Sequence, residues 1–152
     1  MARPHDVSGD IAAAHSAGID TIVSLLEPAE AAKFDLKDEA EICAALDITF
    51  LNHPIRDMHL PDPDSFAAFT ADLADQLIHG ANIAVHCYAS IGRSGMLTCS
   101  ILGHFGFDAK TALEHVSAKR GVPVPDTPEQ AAFIHTSIAA QIARTAHPKT
   151  SS

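Results

Sequence analysis

Apolar and polar positions follow two periods along this chain, and the switches between them outline its elements. Residues 19–26 (Ile-Asp-Thr-Ile-Val-Ser-Leu-Leu) are β-branched and apolar and predict a buried strand. Residues 48–51 (Ile-Thr-Phe-Leu) and 82–86 (Asn-Ile-Ala-Val-His) predict two more. Helical spacing fills the intervals. A short helix is expected over 8–17, stopped near Gly18, and another stretch covers roughly 28–46. Phe66, Phe69, Leu73 and Leu77 recur at helical spacing after Asp62-Pro63, which reads as an N-cap followed by proline in the first turn. Gly80 closes that helix. A stretch at about 93–105 is apolar on most sides and predicts a buried helix. Asp108 caps the next, which ends near Gly121, and Thr127-Pro128-Glu129-Gln130 opens the last. Residues 52–62 form a polar, proline-bearing loop, and a disordered tail is expected from Pro148. Strands alternating with helices predict an α/β fold: one domain over 1–147 with a mostly parallel central sheet and helices on both faces.

Composition narrows the class. With 152 residues, 47% apolar and 19% charged, the chain reads as one globular domain. No apolar run approaches the ~20 residues of a membrane span, and the first residues lack a signal peptide's apolar core, so a cytoplasmic protein is expected. Three cysteines, Cys43, Cys87 and Cys99, do not make a disulfide framework. The net charge of −9 is uneven: residues 1–80 carry 15 Asp/Glu and 4 Lys/Arg (−11), and residues 81–152 carry 4 and 6 (+2). An acidic whole does not suit nucleic acid or anionic membranes as partners, and most of the acidic half is expected to be solvated surface. An anion site belongs in the second half.

That half contains His86-Cys87-Tyr88-Ala89-Ser90-Ile91-Gly92-Arg93-Ser94-Gly95 between a predicted strand and a buried helix. A loop curled at a helix start turns its amide N–H groups inward, and together with the positive helix end this makes an anion site. A cysteine at its head feels the same field, which favours the thiolate, the nucleophilic form. Arg93, on the first helical turn, can fold back and offer a planar fork to two phosphate oxygens, while residues 88–92 supply amides. The hydroxyl of Ser94 can donate to the thiolate and make Cys87 a better leaving group. Cys43 and Cys99 are expected to be ordinary core residues. Ten histidines raise the question of a metal, but among His53, His59, His86 and Cys87 the short ligand spacing of common zinc sites occurs only as a scattered coincidence (His53-x5-His59) with no Cys-x2–4-Cys beside it, so no metal or other cofactor is expected.

The stretch resembles the Cys-x5-Arg signature loop of the protein tyrosine and dual-specificity phosphatases, closest in look to the kinase-associated-phosphatase-like and small bacterial dual-specificity members. The resemblance covers roughly residues 8–140. It implies a phosphatase-like fold and a metal-free, two-step hydrolysis through a cysteinyl-phosphate. The segment from Pro54 to Asp57 looks like the family's Pro-Ile-x-Asp, whose Asp is the general acid, and this implies that role for Asp57. Asp62 is the second candidate, although its position suits a helix N-cap better. Arg56 and His59 flank the acid and are expected to face solvent. Gln130 has two readings: a capping box with Thr127, or the family's late Gln that positions the hydrolytic water. In the family the residue before the cysteine bonds locally and tunes the thiolate, which implies such a role for His86. The chain departs from the family in two places: Ser90 stands where Gly is usual, and few residues precede the first helix, where a strand or two is usual.

Three functions fit. An active phosphatase acting on phosphotyrosine, phosphoserine/threonine or small aryl phosphates accounts for Cys87, Arg93 and Asp57 together. A catalytically weak phosphate-binding module would be supported by Ser90 alone. A rhodanese-like sulfurtransferase would leave Asp57 and Arg93-Ser94-Gly95 without jobs. Residues 88–92 contain no Lys or Arg, which favours a phosphoprotein or aryl phosphate over an inositol polyphosphate.

Overall fold

Three short strands are held together by seven helices in the computed structural model, which describes residues 1–147. The tail expected from Pro148 lies outside the described residues. In chain order the elements are α1 (Val7–Ser16), β1 (Thr21–Ser24), α2 (Pro28–Lys33), α3 (Glu39–Ala45), β2 (Thr49–Asn52), α4 (Pro63–Ile78), β3 (Ile83–His86), α5 (Gly92–His104), α6 (Ala109–Arg120) and α7 (Pro128–Ala146). The sheet is entirely parallel in the order β2-β1-β3. Its register aligns Thr21 with Thr49 and Ile83 at one end, and Ser24 with Asn52 and His86 at the other. All four β1 residues are buried, as a central parallel strand covered on both faces requires.

Alternation along β1 divides the core. Ile22 packs with Ile11, Cys43 and Ile48 on the face covered by α1 and α3. Val23 joins Phe66, Leu73, Met96, Leu97, Ile134 and Ile138 on the face covered by α4, α5 and α7. The expected stripe on α4 is present, with Phe66 and Leu73 buried and Phe69 and Leu77 partly so. The fully enclosed Cys43 and Cys99 belong to these two cores; burial pushes their thiols up to about 11, with help from the Glu39 charge, and to about 12 respectively. No helix among the described residues is long and apolar enough to cross a membrane.

One expectation needs correction. The stretch 28–46 is not one helix. The chain leaves α2 through Asp35, in the left-handed region at φ 56°, where the Leu36 amide bonds back to the Ala31 carbonyl, and then starts α3. The sequence there offers no Gly or Pro to mark the break, because Asp is one of the few other residues that tolerate this conformation. Strand β3 is an edge of the sheet, and beside it the Met1 nitrogen donates to the Val85 carbonyl at 2.7 Å.

A buried polar pair ties α3 to the end of β3. His86 Nε2 lies 2.7 Å from Glu39 Oε1, with both side chains almost entirely enclosed. Glu39→Ala would leave the imidazole without its partner in a dry site. The expected loss is about 1–3 kcal/mol of unfolding free energy, read by chemical denaturation.

Candidate active site

The loop predicted to hold phosphate lies at the carboxyl ends of the strands, where open parallel sheets place their ligand sites. Cys87 follows directly on β3 and is 2% exposed. Residues 88–91 then turn into α5, whose N-cap is Ile91. The Gly95 amide is the first in the helix to bond back, to the Ile91 carbonyl at 3.1 Å. The amides of Gly92, Arg93 and Ser94 therefore have no partner in the helix and remain available to an anion.

Arg93 is the most constrained side chain of the site, 1% exposed yet charged. Its Nη1 donates to Glu30 Oε2 at 2.8 Å and to the Ile55 carbonyl at 2.9 Å. Nη2 donates to Glu30 Oε1 at 3.0 Å, which completes a two-pronged pair, and faces Asp57 Oδ1 at 3.3 Å. Burial alone would weaken the guanidinium's hold on its proton, and the Glu30 carboxylate more than restores it. Burial likewise disfavours ionised Glu30; hydrogen bonds from Arg93 and from the Glu27 amide outweigh it and hold the carboxyl below the usual range.

The other predicted residues fall as follows. Asp57 sits on an exposed loop, 56% open, with its carboxylate turned toward Arg93. Asp62 does not share this position: its carboxylate caps α4, accepting the Ser65 amide at 2.9 Å. Arg56 is exposed, as is His59, whose Nδ1 lies 2.7 Å from the Asp57 carbonyl. His53 stacks on Phe69, with ring centroids 4.6 Å apart. The Ser94 hydroxyl is buried and has no hydrogen-bond partner. Besides its contact with Glu39, His86 brings Nδ1 to 3.4 Å from the Cys87 carbonyl.

Gln130 makes the capping box. Its Oε1 accepts the Thr127 amide at 3.2 Å and the Asp126 amide at 3.1 Å. Its Nε2 is buried and unpaired, so the cap leaves a donor free. The side chain lies against the loop: a Cβ at Gly92 would stand 2.9 Å from Gln130 Oε1 and 2.3 Å from Asp126 Oδ2. A side chain at Gly92 would require the Asp126 carboxylate and the Gln130 amide to shift. Ser90 adopts φ 58°, the conformation glycine favours, and its hydroxyl donates to the Met1 carbonyl.

Several members of this arrangement are not evident in the sequence. Glu30 and Glu39 bond residues 63 and 47 positions away. Their signal is indirect: a buried Arg and a buried His each demand an acceptor, and the acidic half supplies it. Asp126 and Arg3, which stacks on Tyr88, have no local motif at all.

The fold recurs in solved structures. One is a kinase-associated phosphatase (KAP) with its catalytic-site cysteine replaced by serine, at TM-score 0.82 and 22% identity over 90% of this chain and 78% of that one. A mutant form of Tk-PTP matches at TM-score 0.78 and 23% identity over 93% and 89%. PTPMT1 in complex with PI(5)P matches at TM-score 0.77 and 14% identity over 95% and 91%. No curated protein matches the chain in sequence. The family model described as PTP-SAK, the Swiss Army Knife protein DSP-PTPase phosphatase domain, matches residues 1–151. A parallel sheet delivering Cys87 and a helix start delivering Arg93 are thus the frame of a known phosphatase domain, and the chain belongs to this family within the dual-specificity phosphatase superfamily.

Proposed function

We propose that the protein hydrolyses phosphate monoesters through a cysteinyl-phosphate, with Cys87 as nucleophile, Arg93 and the amides of residues 88–93 as the phosphate cradle, and Asp57 as general acid. The observation that carries this reading is the buried Arg93 guanidinium, fixed by Glu30 and Ile55, with the Asp57 carboxylate facing it across 3.3 Å. A guanidinium held in this way meets phosphate in a set orientation and loses little freedom on binding.

In the first step the Cys87 thiolate attacks phosphorus. The S–P bond forms, the P–O bond to the leaving group breaks, and Asp57 gives its proton to the departing oxygen. A phosphate dianion bound at Arg93 takes the place of the Asp57 carboxylate there. In the second step water attacks phosphorus, Asp57 accepts its proton, and the S–P bond breaks to release inorganic phosphate. The unpaired Ser94 hydroxyl is available to stabilise the departing thiolate. The free Gln130 Nε2 beside the loop is available to orient the attacking water while its oxygen keeps the helix cap. Both roles of Gln130 are therefore compatible. Substrates are phosphotyrosine, with phosphoserine/threonine or simple aryl phosphates accepted by the same cradle.

One observation favours a second reading, a phosphate-binding module without turnover: Ser90 holds a backbone conformation that costs a non-glycine residue energy. Hydrolysis of p-nitrophenyl phosphate in EDTA separates the two. Turnover is expected in the wild type and its loss in Cys87→Ser; a folded wild type that binds phosphate without turnover would establish the second reading. Asp57→Asn is expected to lower kcat by ~10²–10³, more for phenyl phosphate than for p-nitrophenyl phosphate.

Glu30 acts through Arg93 and is a positioning residue. Glu30→Gln is expected to raise KM and weaken inhibition by inorganic phosphate about tenfold, roughly one charge-assisted hydrogen bond, with a smaller change in kcat. Because the Glu30 carboxyl is held low, its contribution to stability is complete above the ordinary carboxylate range and is lost as pH falls through the lowered value. The stability gap between wild type and Glu30→Gln should therefore persist at neutral pH and close in acid, as denaturant titrations at several pH values will show.

A further inference from the structure

We propose that Arg3, held on an aromatic pair beside the phosphate loop, selects phosphopeptides that carry an acidic side chain next to the phosphorylated residue. The proposal rests on the phosphatase reading above and names a specificity residue for it.

Tyr88 directly follows Cys87 at the head of the loop and is 48% exposed. It packs on Phe34, at the end of α2, with centroids 5.2 Å apart and planes tilted by 39°. The Arg3 guanidinium carbon lies 4.3 Å from the Phe34 centroid and 5.0 Å from that of Tyr88. Stacking occupies the face of a guanidinium and leaves its edge, with the N–H fork that matches a carboxylate. Among the described residues no carboxylate forms an ion pair with Arg3. Its backbone is restrained as well. The Met1 nitrogen bonds to Val85, the Ser90 hydroxyl bonds to the Met1 carbonyl, and Pro4 is buried. A cation ordered in advance loses little entropy when it captures a partner.

Other charges near the loop have the same sign. Lys33 Nζ lies 5.7 Å from the Phe34 centroid, and Arg120 Nη2 donates to the Ala89 carbonyl at 3.4 Å. The loop itself has no Lys or Arg between Cys87 and Arg93, so these residues supply its surroundings with positive charge in an otherwise acidic protein. The acid loop, by contrast, presents the exposed apolar side chains Met58 and Leu60. Cations beside Tyr88 and apolar side chains beside Asp57 suit a peptide crossing the site. A polyphosphorylated ring would call for cations around the whole opening.

The test uses three phosphotyrosine peptides that differ only in having Glu, Gln or Lys beside the phosphotyrosine, with p-nitrophenyl phosphate as a substrate without flanks. Wild type is expected to show kcat/KM about threefold to tenfold higher for the Glu peptide than for the Gln peptide, the range of a partly exposed charge-assisted pair. Arg3→Ala should bring that ratio to near unity. Arg3→Lys should keep part of it, and Arg3→Glu should place the Lys peptide first. A wild-type ratio near unity, or a ratio unchanged in Arg3→Ala, overturns the proposal. So does an inositol phosphate that competes better than the Glu peptide, since it would assign the cations to a different ligand. Binding of the same peptides to Cys87→Ser, followed by fluorescence anisotropy, reads the same preference without turnover. If p-nitrophenyl phosphate is not hydrolysed but the binding preference follows Arg3, the phosphatase reading fails and this one stands. Absence of any phosphopeptide binding overturns both.

Discussion

A buried guanidinium sets the terms for the rest of this structure. Arg93 is enclosed almost completely, and an unpaired cation in such a place would cost several kcal/mol. The fold answers with two oxygens of Glu30 and the carbonyl of Ile55, and the carboxylate of Asp57 lies beside them. These partners come from α2 and from the loop after β2, while the guanidinium comes from the first turn of α5. One side chain therefore fixes the mutual placement of three segments that are distant in sequence. The break at Asp35 belongs to the same design. With α2 ended early, Glu30 reaches Arg93 while Glu39, on the separate helix α3, reaches His86.

The charge asymmetry of the sequence takes on a different meaning in this light. Most of the acidic half is exposed surface. Glu30, Glu39 and the exposed Asp57 each meet a basic residue of the second half. Net charge by halves thus reflects complementarity between the two halves as well as exposed surface. Arg93 is a cation whose Glu30 counter-ion is already ordered around it.

What could be read from the sequence was local. The caps at Asp62, Asp108 and Thr127–Gln130 involve residues three positions apart, and all three form as their patterns predict. The strand-loop-helix around Cys87 is equally contiguous, so the loop and the buried helix behind it were legible. The partners of Arg93 and His86 were not, because nothing in a window of neighbours specifies a contact across 63 or 47 residues. The break between α2 and α3 was missed for a different reason: Asp35 adopts a left-handed conformation that composition does not announce. Gln130 shows a limit of treating motifs as exclusive. The cap uses its oxygen and leaves its buried nitrogen without a partner, so the capping box does not consume the whole amide.

Ser90 is where sequence and geometry could most easily have conflicted. The family's usual glycine suits a left-handed backbone, and a serine there costs roughly 1–2 kcal/mol. The chain nevertheless adopts the glycine-like conformation, and the hydroxyl bonds to the Met1 carbonyl, which offsets part of that cost. An anion cradle depends on where the backbone N–H groups point, and so on φ and ψ more than on side chains. With the glycine-like conformation kept at Ser90, the substitution does not by itself argue against phosphate binding. It adds a contact that glycine could not make, tying the first residues of the chain to the loop beside the edge strand β3.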